Sequence, residues 1–170
     1  MSSTWLNPEE TASALGYLER RFGIPPSALA GHRLVRKGEH VYAVRREAAD
    51  VCETLDWVSA GLRVFRLSGS DRFKLSTPGA QVFGSAATAR VHDLAGEELL
   101  ALVEGRSIPS AWEPGPAILR YGGTPVGLGL VRGGQLVSQL PRSVTENLRL
   151  PDRAPRSHAD RAGDGPLVPR

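Results

Sequence analysis

The chain has 170 residues, 41% of them hydrophobic and 23% charged, and it carries a formal net charge of +3 with a pI near 9.5. This composition is typical of a globular protein, and no apolar stretch approaches the ~20 residues of a membrane span, so we expect no membrane partner. One cysteine, Cys52, excludes an internal disulfide framework, and the four histidines lack metal-ligand spacing, so we expect no metal and no other cofactor. The first residues lack the basic and apolar pattern of a secretory signal, which predicts a cytoplasmic protein.

The first predicted element is a helix that begins at Asn7. Asn7 can cap the helix, Pro8 suits its first turn, and Glu10 completes a capping box. Gly23, just before two prolines, predicts the end of this helix. Apolar and polar residues then alternate over 33–44 on both sides of a Lys-Gly pair, which predicts a β-hairpin.

Positive charge is concentrated around this hairpin. Between Arg20 and Arg46 there are seven Lys and Arg residues against Glu39 alone, a local charge of +6. A secondary basic patch is predicted at Arg33, Arg36 and Lys37. Four acidic residues follow between 47 and 56, and we expect this segment to end the first module.

Residues 61–77 combine a strand, a basic loop and a helix start. Leu62, Val64 and Leu67 alternate with Arg63, Phe65 and Arg66, a pattern that predicts a half-buried strand. Arg72 and Lys74 come next, and Thr77 followed by Pro78 is typical of a helix cap and first turn. Cations beside the free backbone amides at the start of a helix favour the binding of a phosphate. The alternative is an ordinary surface loop whose cations are solvated or paired with Asp71 or Asp93.

Short elements fill the rest of the folded part. The pattern predicts a short helix over 78–83, a strand over 90–93 and a helix over 97–104. Gly-Gly pairs at 122–123 and 133–134 then separate three short strands, which predicts an antiparallel meander. Many short strands with two short helices favour a compact mixed β-barrel.

No pattern in the chain predicts catalysis. Acidic neighbours discourage a reactive thiolate at Cys52, and the His92-Asp93 pair lacks a recognisable serine partner. The three tryptophans are expected in cores or hinges rather than stacked on bases, whereas Tyr121 beside Arg120 is a better stacking candidate. We therefore predict no catalytic residue.

Several fragments together carry a family resemblance. They are Gly61-Leu62-Arg63-Val64, Arg72-Phe73-Lys74, Val91-His92-Asp93-Leu94, Leu119-Arg120-Tyr121-Gly122-Gly123-Thr124-Pro125-Val126-Gly127-Leu128-Gly129 and Pro141-Arg142. In this order they resemble the C-terminal PUA-like RNA-binding domain of RsmF-type rRNA cytosine methyltransferases, over residues 61–145. Residues 22–44 resemble the small α/β module that precedes that domain. The methyl-donor domain and catalytic cysteines of those enzymes have no counterpart in the sequence, so the resemblance implies RNA binding without methyl transfer.

The predicted fold is α+β, with a small N-terminal α/β module at 1–58 and a PUA-like mixed β-barrel at 59–148. Residues 149–170 are expected to be a disordered tail, and its last four residues resemble the remnant of a thrombin-cleaved tag. The predicted function is non-catalytic recognition of structured RNA in RNA modification or ribosome biogenesis. Ribosomal RNA or a pre-ribosomal particle is the expected partner, tRNA is the alternative, and a modification enzyme or assembly factor is a further expected partner.

The RNA-binding residues are predicted from charge, from the helix start and from the resemblance together. They are Arg63, Arg66, Arg72, Lys74, Ser76, Thr77, Arg120, Tyr121 and Arg142. The competing hypothesis is a protein-interaction, small-ligand or modified-base module on the same barrel, which a deep apolar pocket flanked by polar groups would favour over an open basic groove.

Overall fold

The computed structural model describes residues 3–54, 57, 60–68 and 72–140. Arg142 and the predicted tail at 149–170 lie outside these ranges. The described chain is α+β, as predicted, and its strands form two five-stranded sheets, with a curled half-barrel sheet among its features. In this part of the chain no helix combines the length and the apolar character that crossing a bilayer requires.

The first sheet is antiparallel, and its spatial order follows the chain. Its strands are β1 Ser3–Trp5, β2 His32–Lys37, β3 His40–Arg45, β4 Leu62–Ser68 and β5 Arg72–Leu75. The predicted hairpin is confirmed as β2–β3, with Gly38 in its turn at a φ of 59°. Because β3 pairs with β4, the sheet continues across the predicted module boundary between residues 58 and 59.

Helix α1, Pro8–Phe22, lies between β1 and β2 in the chain and has the predicted caps. The Asn7 side chain accepts a hydrogen bond from the Glu10 amide at 2.8 Å, and the Glu10 carboxylate accepts one from the Asn7 amide at 2.9 Å. Gly23 ends the helix in the left-handed region at a φ of 63°. Local capping chemistry therefore fixes both ends of α1.

Three further helices complete the described α-helical part. They are α2 Arg46–Thr54, α3 Thr77–Phe83 and α4 Gly96–Val103, with short 3-10 turns at Pro26–Leu29 and Gly84–Ala86. The helices predicted at 78–83 and 97–104 are confirmed to within one residue at each end. Helix α2 was not predicted, because residues 47–56 were interpreted only as an acidic segment that ends the first module.

The second sheet contains the predicted meander. Its strands are β6 Val91–Asp93, β7 Ile108–Pro109, β8 Gly115–Tyr121, β9 Thr124–Arg132 and β10 Gln135–Ser138, in the spatial order β6-β8-β9-β10-β7. Strand β6 is parallel to β8, whereas the other neighbours are antiparallel. The meander β8-β9-β10 is joined by the two Gly-Gly turns, as predicted.

The main hydrophobic core lies between the two sheets and joins them. Phe22 from α1, Phe65 from β4 and Ile118 from β8 are all fully buried in it. A second cluster packs α4 onto the second sheet through Leu99 and Leu102. A third cluster covers part of the opposite face of the first sheet, and it is formed by Val35, Val44 and Ala60 together with Trp5, Tyr42, Cys52 and Trp57.

Candidate nucleic-acid interface

The strand register of the first sheet brings three cations and a histidine, from four neighbouring strands, into one line. Lys37 on β2 lies opposite His40 on β3, His40 opposite Arg66 on β4, and Arg66 opposite Lys74 on β5. Because directly paired residues project from the same face of a sheet, these four side chains share one face, opposite α1. We call these four residues the cationic row and the face that carries them the outer face.

A β-bulge in β4 places two arginines together beside this row. The register shifts between Val41 and Tyr42, so that Tyr42 pairs with Arg63 and Val64 becomes the extra residue. Val64 and Phe65 are consequently both fully buried, while Arg63 and Arg66 are both exposed. The predicted alternation, which put Phe65 on the side of the two arginines, is wrong because the bulge re-aims the side chains.

Ser76 fixes the position of the bulged segment. Its hydroxyl donates a hydrogen bond to the Arg63 carbonyl at 2.6 Å and accepts one from the Gly79 amide at 3.1 Å, while the Ser76 amide donates to the Val64 carbonyl at 2.8 Å. Ser76 is therefore the N-cap of α3, and the prediction that Thr77 is the cap is corrected. The extended backbone at Ser76 turns the hydroxyl back onto the helix start, whereas Thr77 is already helical. Because the hydroxyl proton of Ser76 is used within the protein, we assign this side chain a positioning role.

A groove of about 440 Å³ runs beside the cationic row, where the first sheet meets the second. Five of the predicted RNA-binding residues line it: Arg63, Arg66, Lys74, Ser76 and Thr77. Glu39, His40 and Leu75 complete the lining from the first sheet, and Leu128 and Gln139 contribute to it from the side of the second sheet. The fold thus brings these five predicted residues together around one concave surface.

The charge of this groove is positive. Arg66 lies 3.1 Å from the Glu39 carboxylate, whereas no described carboxylate lies within ion-pair distance of Arg63 or Lys74. Three cations therefore face one carboxylate. The Arg66 pair is exposed, and such pairs contribute only about 0–1 kcal/mol, so an incoming phosphate can replace Glu39 at little cost. This arrangement can bind phosphate oxygens by charge-assisted hydrogen bonds.

Arg120 and Tyr121 lie elsewhere, at the end of β8 beside the turn to β9. Arg120 forms a bidentate pair with Asp93 of the neighbouring strand at 2.5 and 2.6 Å. This hydrogen bonding lowers the pKa of Asp93 below its ordinary value. Asp93 therefore pairs with Arg120, and the predicted alternative pairing of Asp93 with Lys74 is wrong. Tyr121 is 39% exposed, and neither residue is among the described residues that line the groove.

The predicted secondary basic patch is divided between the two faces of the first sheet. Arg33 and Lys37 lie on the outer face, but Arg36 pairs with buried Val41 and lies on the α1 side, near Glu9. The Arg33 guanidinium lies 4.0 Å above the Trp5 ring and bonds Glu53 at 2.9 Å. The Lys37 ammonium lies 4.7 Å from the Trp57 ring centroid and also donates to the Trp57 carbonyl.

Five residues that line the groove were not predicted as site residues: Glu39, His40, Leu75, Leu128 and Gln139. His40 could have been found from the hairpin, because a turn at Gly38 places His40 directly opposite Lys37. Gln139 gave no local signal, since it reaches the groove only through the packing of the second sheet. Two predicted residues are not positioned: the side chain of Arg72 and the whole of Arg142 lie outside the described part of the structure.

Comparisons with known proteins add no family assignment: no protein-family model matches the chain, and a search of curated proteins gave no significant match. The chemistry of the outer face and the groove is therefore the basis for the functional proposal.

Proposed function

We propose that this chain is a non-catalytic, PUA-like RNA-binding protein that holds structured RNA against the cationic row and the groove. The supporting observation is the register that aligns Lys37, His40, Arg66 and Lys74 across four neighbouring strands. With strands about 4.8 Å apart, the row extends over roughly 14 Å, which is long enough to meet more than one phosphate. Arg63 adds a further cation on the adjacent row.

The chemistry of this surface suits a nucleic-acid backbone. Folded RNA presents phosphates, 2′-hydroxyls and shape rather than accessible base edges in its deep major groove. Arginine and lysine bind the phosphates, and the counterions that the phosphates release favour association. The sequence resemblance over 61–145 favours ribosomal RNA or a pre-ribosomal particle in the cytoplasm as the partner. A modification enzyme or assembly factor would then act on the RNA that this chain positions.

The first prediction tests the groove cations that have no described carboxylate partner. Replacing Arg63→Ala together with Lys74→Ala should weaken binding to all folded RNAs to a similar extent, because phosphate contacts carry no sequence information. The dependence of log K on log salt should become shallower by about two units. Fluorescence anisotropy with labelled RNA hairpins, repeated over a series of salt concentrations, measures both quantities.

The matched control removes the same charge from surfaces that do not include the outer face. Arg20 on α1 and Arg132 at the end of β9 are both exposed, and Arg20→Ala with Arg132→Ala should leave the salt slope nearly unchanged. If the two double variants weaken RNA binding equally, the affinity depends on net charge alone and not on the groove. If the unaltered chain binds no RNA at low salt, the proposed function is wrong.

A further inference from the structure

The groove contains more than positive charge. Leu75 and Leu128 lie at its base with only 7% and 3% of their surface exposed, so the base of the groove is apolar. Gln139 stands exposed on its rim. The Gln139 backbone is held in place because its amide donates to the Leu128 carbonyl at 2.9 Å. An apolar base, an amide rim and a cationic wall therefore meet in one cavity.

These three chemistries match the face of a nucleotide base, the edge of that base and the attached phosphate. A volume of about 440 Å³ lies within the range of small-molecule sites, which are mostly apolar with a few placed polar groups. A glutamine amide offers two donors and one acceptor, a combination that can pair with the edge of a base. Arg63 and Lys74 on the facing wall supply cations for the attached phosphate.

We propose that this groove binds one unpaired nucleotide of the RNA. Its base lies over Leu75 and Leu128, an edge of the base meets Gln139, and its phosphate lies between Arg63 and Lys74. This inference rests on the proposed function and adds the kind of RNA that the site selects. A bulged or loop nucleotide is the expected ligand, because its base can enter the groove at a lower unstacking and unpairing cost than a base within a duplex.

A fully paired stem could use only part of the same surface. Its phosphates can reach the cationic row, but its bases remain stacked inside the helix and cannot contact Gln139 or the apolar base of the groove. A preference for RNA with an unpaired nucleotide therefore distinguishes binding in the groove from binding along the cationic row.

The test compares two RNA hairpins with the same stem, one fully paired and one with a single bulged nucleotide. The unaltered protein should bind the bulged hairpin about 10-fold more tightly, since one well-placed base contact contributes about 1–3 kcal/mol. Gln139→Leu, which keeps the size of the side chain and removes the amide, should reduce this preference to about 2-fold or less. Thr77→Trp, which fills the groove from the helix start, should do the same by excluding the base. Neither variant removes a cation, and the quantity compared is the ratio of the two affinities in each variant, so a change in affinity that is common to both hairpins cancels.

The control variant is Gln135→Leu, the same replacement at the first residue of β10, where the glutamine oxygen accepts a hydrogen bond from the Ser107 hydroxyl at 3.0 Å. It should keep the full preference for the bulged hairpin. Melting temperatures of all three variants identify any that have lost their fold. A preference that survives both Gln139→Leu and Thr77→Trp in folded protein would overturn the groove assignment.

Further outcomes separate this inference from the proposed function. Equal binding of the two hairpins by the unaltered protein overturns the nucleotide site but leaves the RNA-binding proposal in place. No binding of either hairpin overturns the proposed function. Free AMP, CMP, GMP and UMP should each bind at least about 100-fold more weakly than the bulged hairpin, because they lack contacts with the cationic row. If a free mononucleotide binds more tightly than the bulged hairpin, the ligand of the groove is a free nucleotide and not a nucleotide within RNA.

Discussion

Ser76 illustrates how one small side chain can determine the shape of a binding surface. Its hydroxyl connects the Arg63 carbonyl of β4 with the Gly79 amide of α3, and its own amide bonds the bulged Val64. These contacts keep the backbone of Arg63 next to the helix start and thereby direct its side chain into the groove. Serine contributes here to the positions of the cations rather than to the charge of the site.

Removing this hydroxyl should cost stability. Ser76→Ala removes the helix cap and leaves the Arg63 carbonyl without its partner, so we expect the free energy of unfolding to fall by about 2 kcal/mol. Ser76→Thr keeps a capping hydroxyl and should cost less than half as much. Urea unfolding followed by circular dichroism measures both values. Equal losses for the two variants would show that the hydroxyl does not carry the effect.

At the scale of the elements, the bulge in β4 and the start of α3 depend on each other. Gly79 lies at their closest approach, where an added Cβ would be 2.8 Å from the Val64 carbonyl oxygen and 2.9 Å from a Leu75 methyl carbon. Backbone atoms at that distance cannot be displaced without moving the helix. A residue without a side chain is therefore required for α3 to pack against the bulge.

Two Gly→Ala replacements should change the melting temperature in opposite directions. Gly79→Ala should lower the melting temperature, because the contact with Val64 outweighs the gain of up to about 1 kcal/mol in helix propensity. Gly16→Ala, within α1, should raise it, since the nearest atom to the added Cβ is the mobile end of the Arg20 side chain, at 2.9 Å. Thermal unfolding of both variants is the measurement. Stabilisation by Gly79→Ala would contradict the close packing of α3 on β4.

The elements that could be predicted correctly from the sequence have local signals. The Asn7 cap, the hairpin turn at Gly38 and the Gly-Gly turns of the meander each follow from a few adjacent residues. The bulge at Val64 has no such signal, because it depends on how β4 pairs with β3 and packs against α3. The pairing of Arg120 with Asp93 likewise depends on a parallel contact between strands that are far apart in the sequence.

At the scale of the whole molecule, the two sheets share one core. Phe22 and Phe65 from the N-terminal half of the chain and Ile118 and Leu128 from the second sheet belong to the same buried cluster. The groove lies where these halves meet, since Leu128 and Gln139 face Arg63 and Lys74. The cationic residues of the groove could be predicted, because most of them are clustered in one stretch of the sequence. The apolar residues at its base could not be predicted, because they come together only where the two sheets pack.

A shared core predicts that both sheets unfold together. Trp57, packed on Tyr42 of the first sheet, and Trp112, packed on His92 of the second, can report on the two sheets separately. One variant would keep only Trp57 and another only Trp112, with the other tryptophans replaced by Phe. In urea, the fluorescence of each should change at the midpoint that circular dichroism gives for the same variant, as expected for a two-state transition.

Adding Ile118→Val to both single-tryptophan variants tests whether a change in the second sheet destabilises the first sheet as well. This change removes one buried methyl group from the main core and should lower the free energy of unfolding by about 1 kcal/mol. Because Ile118 packs in the cluster that contains Phe65, the midpoints reported by Trp57 and by Trp112 should shift by the same amount. A shift confined to Trp112 would mean that the second sheet unfolds alone, and the groove between the sheets would then open before the cationic row is lost.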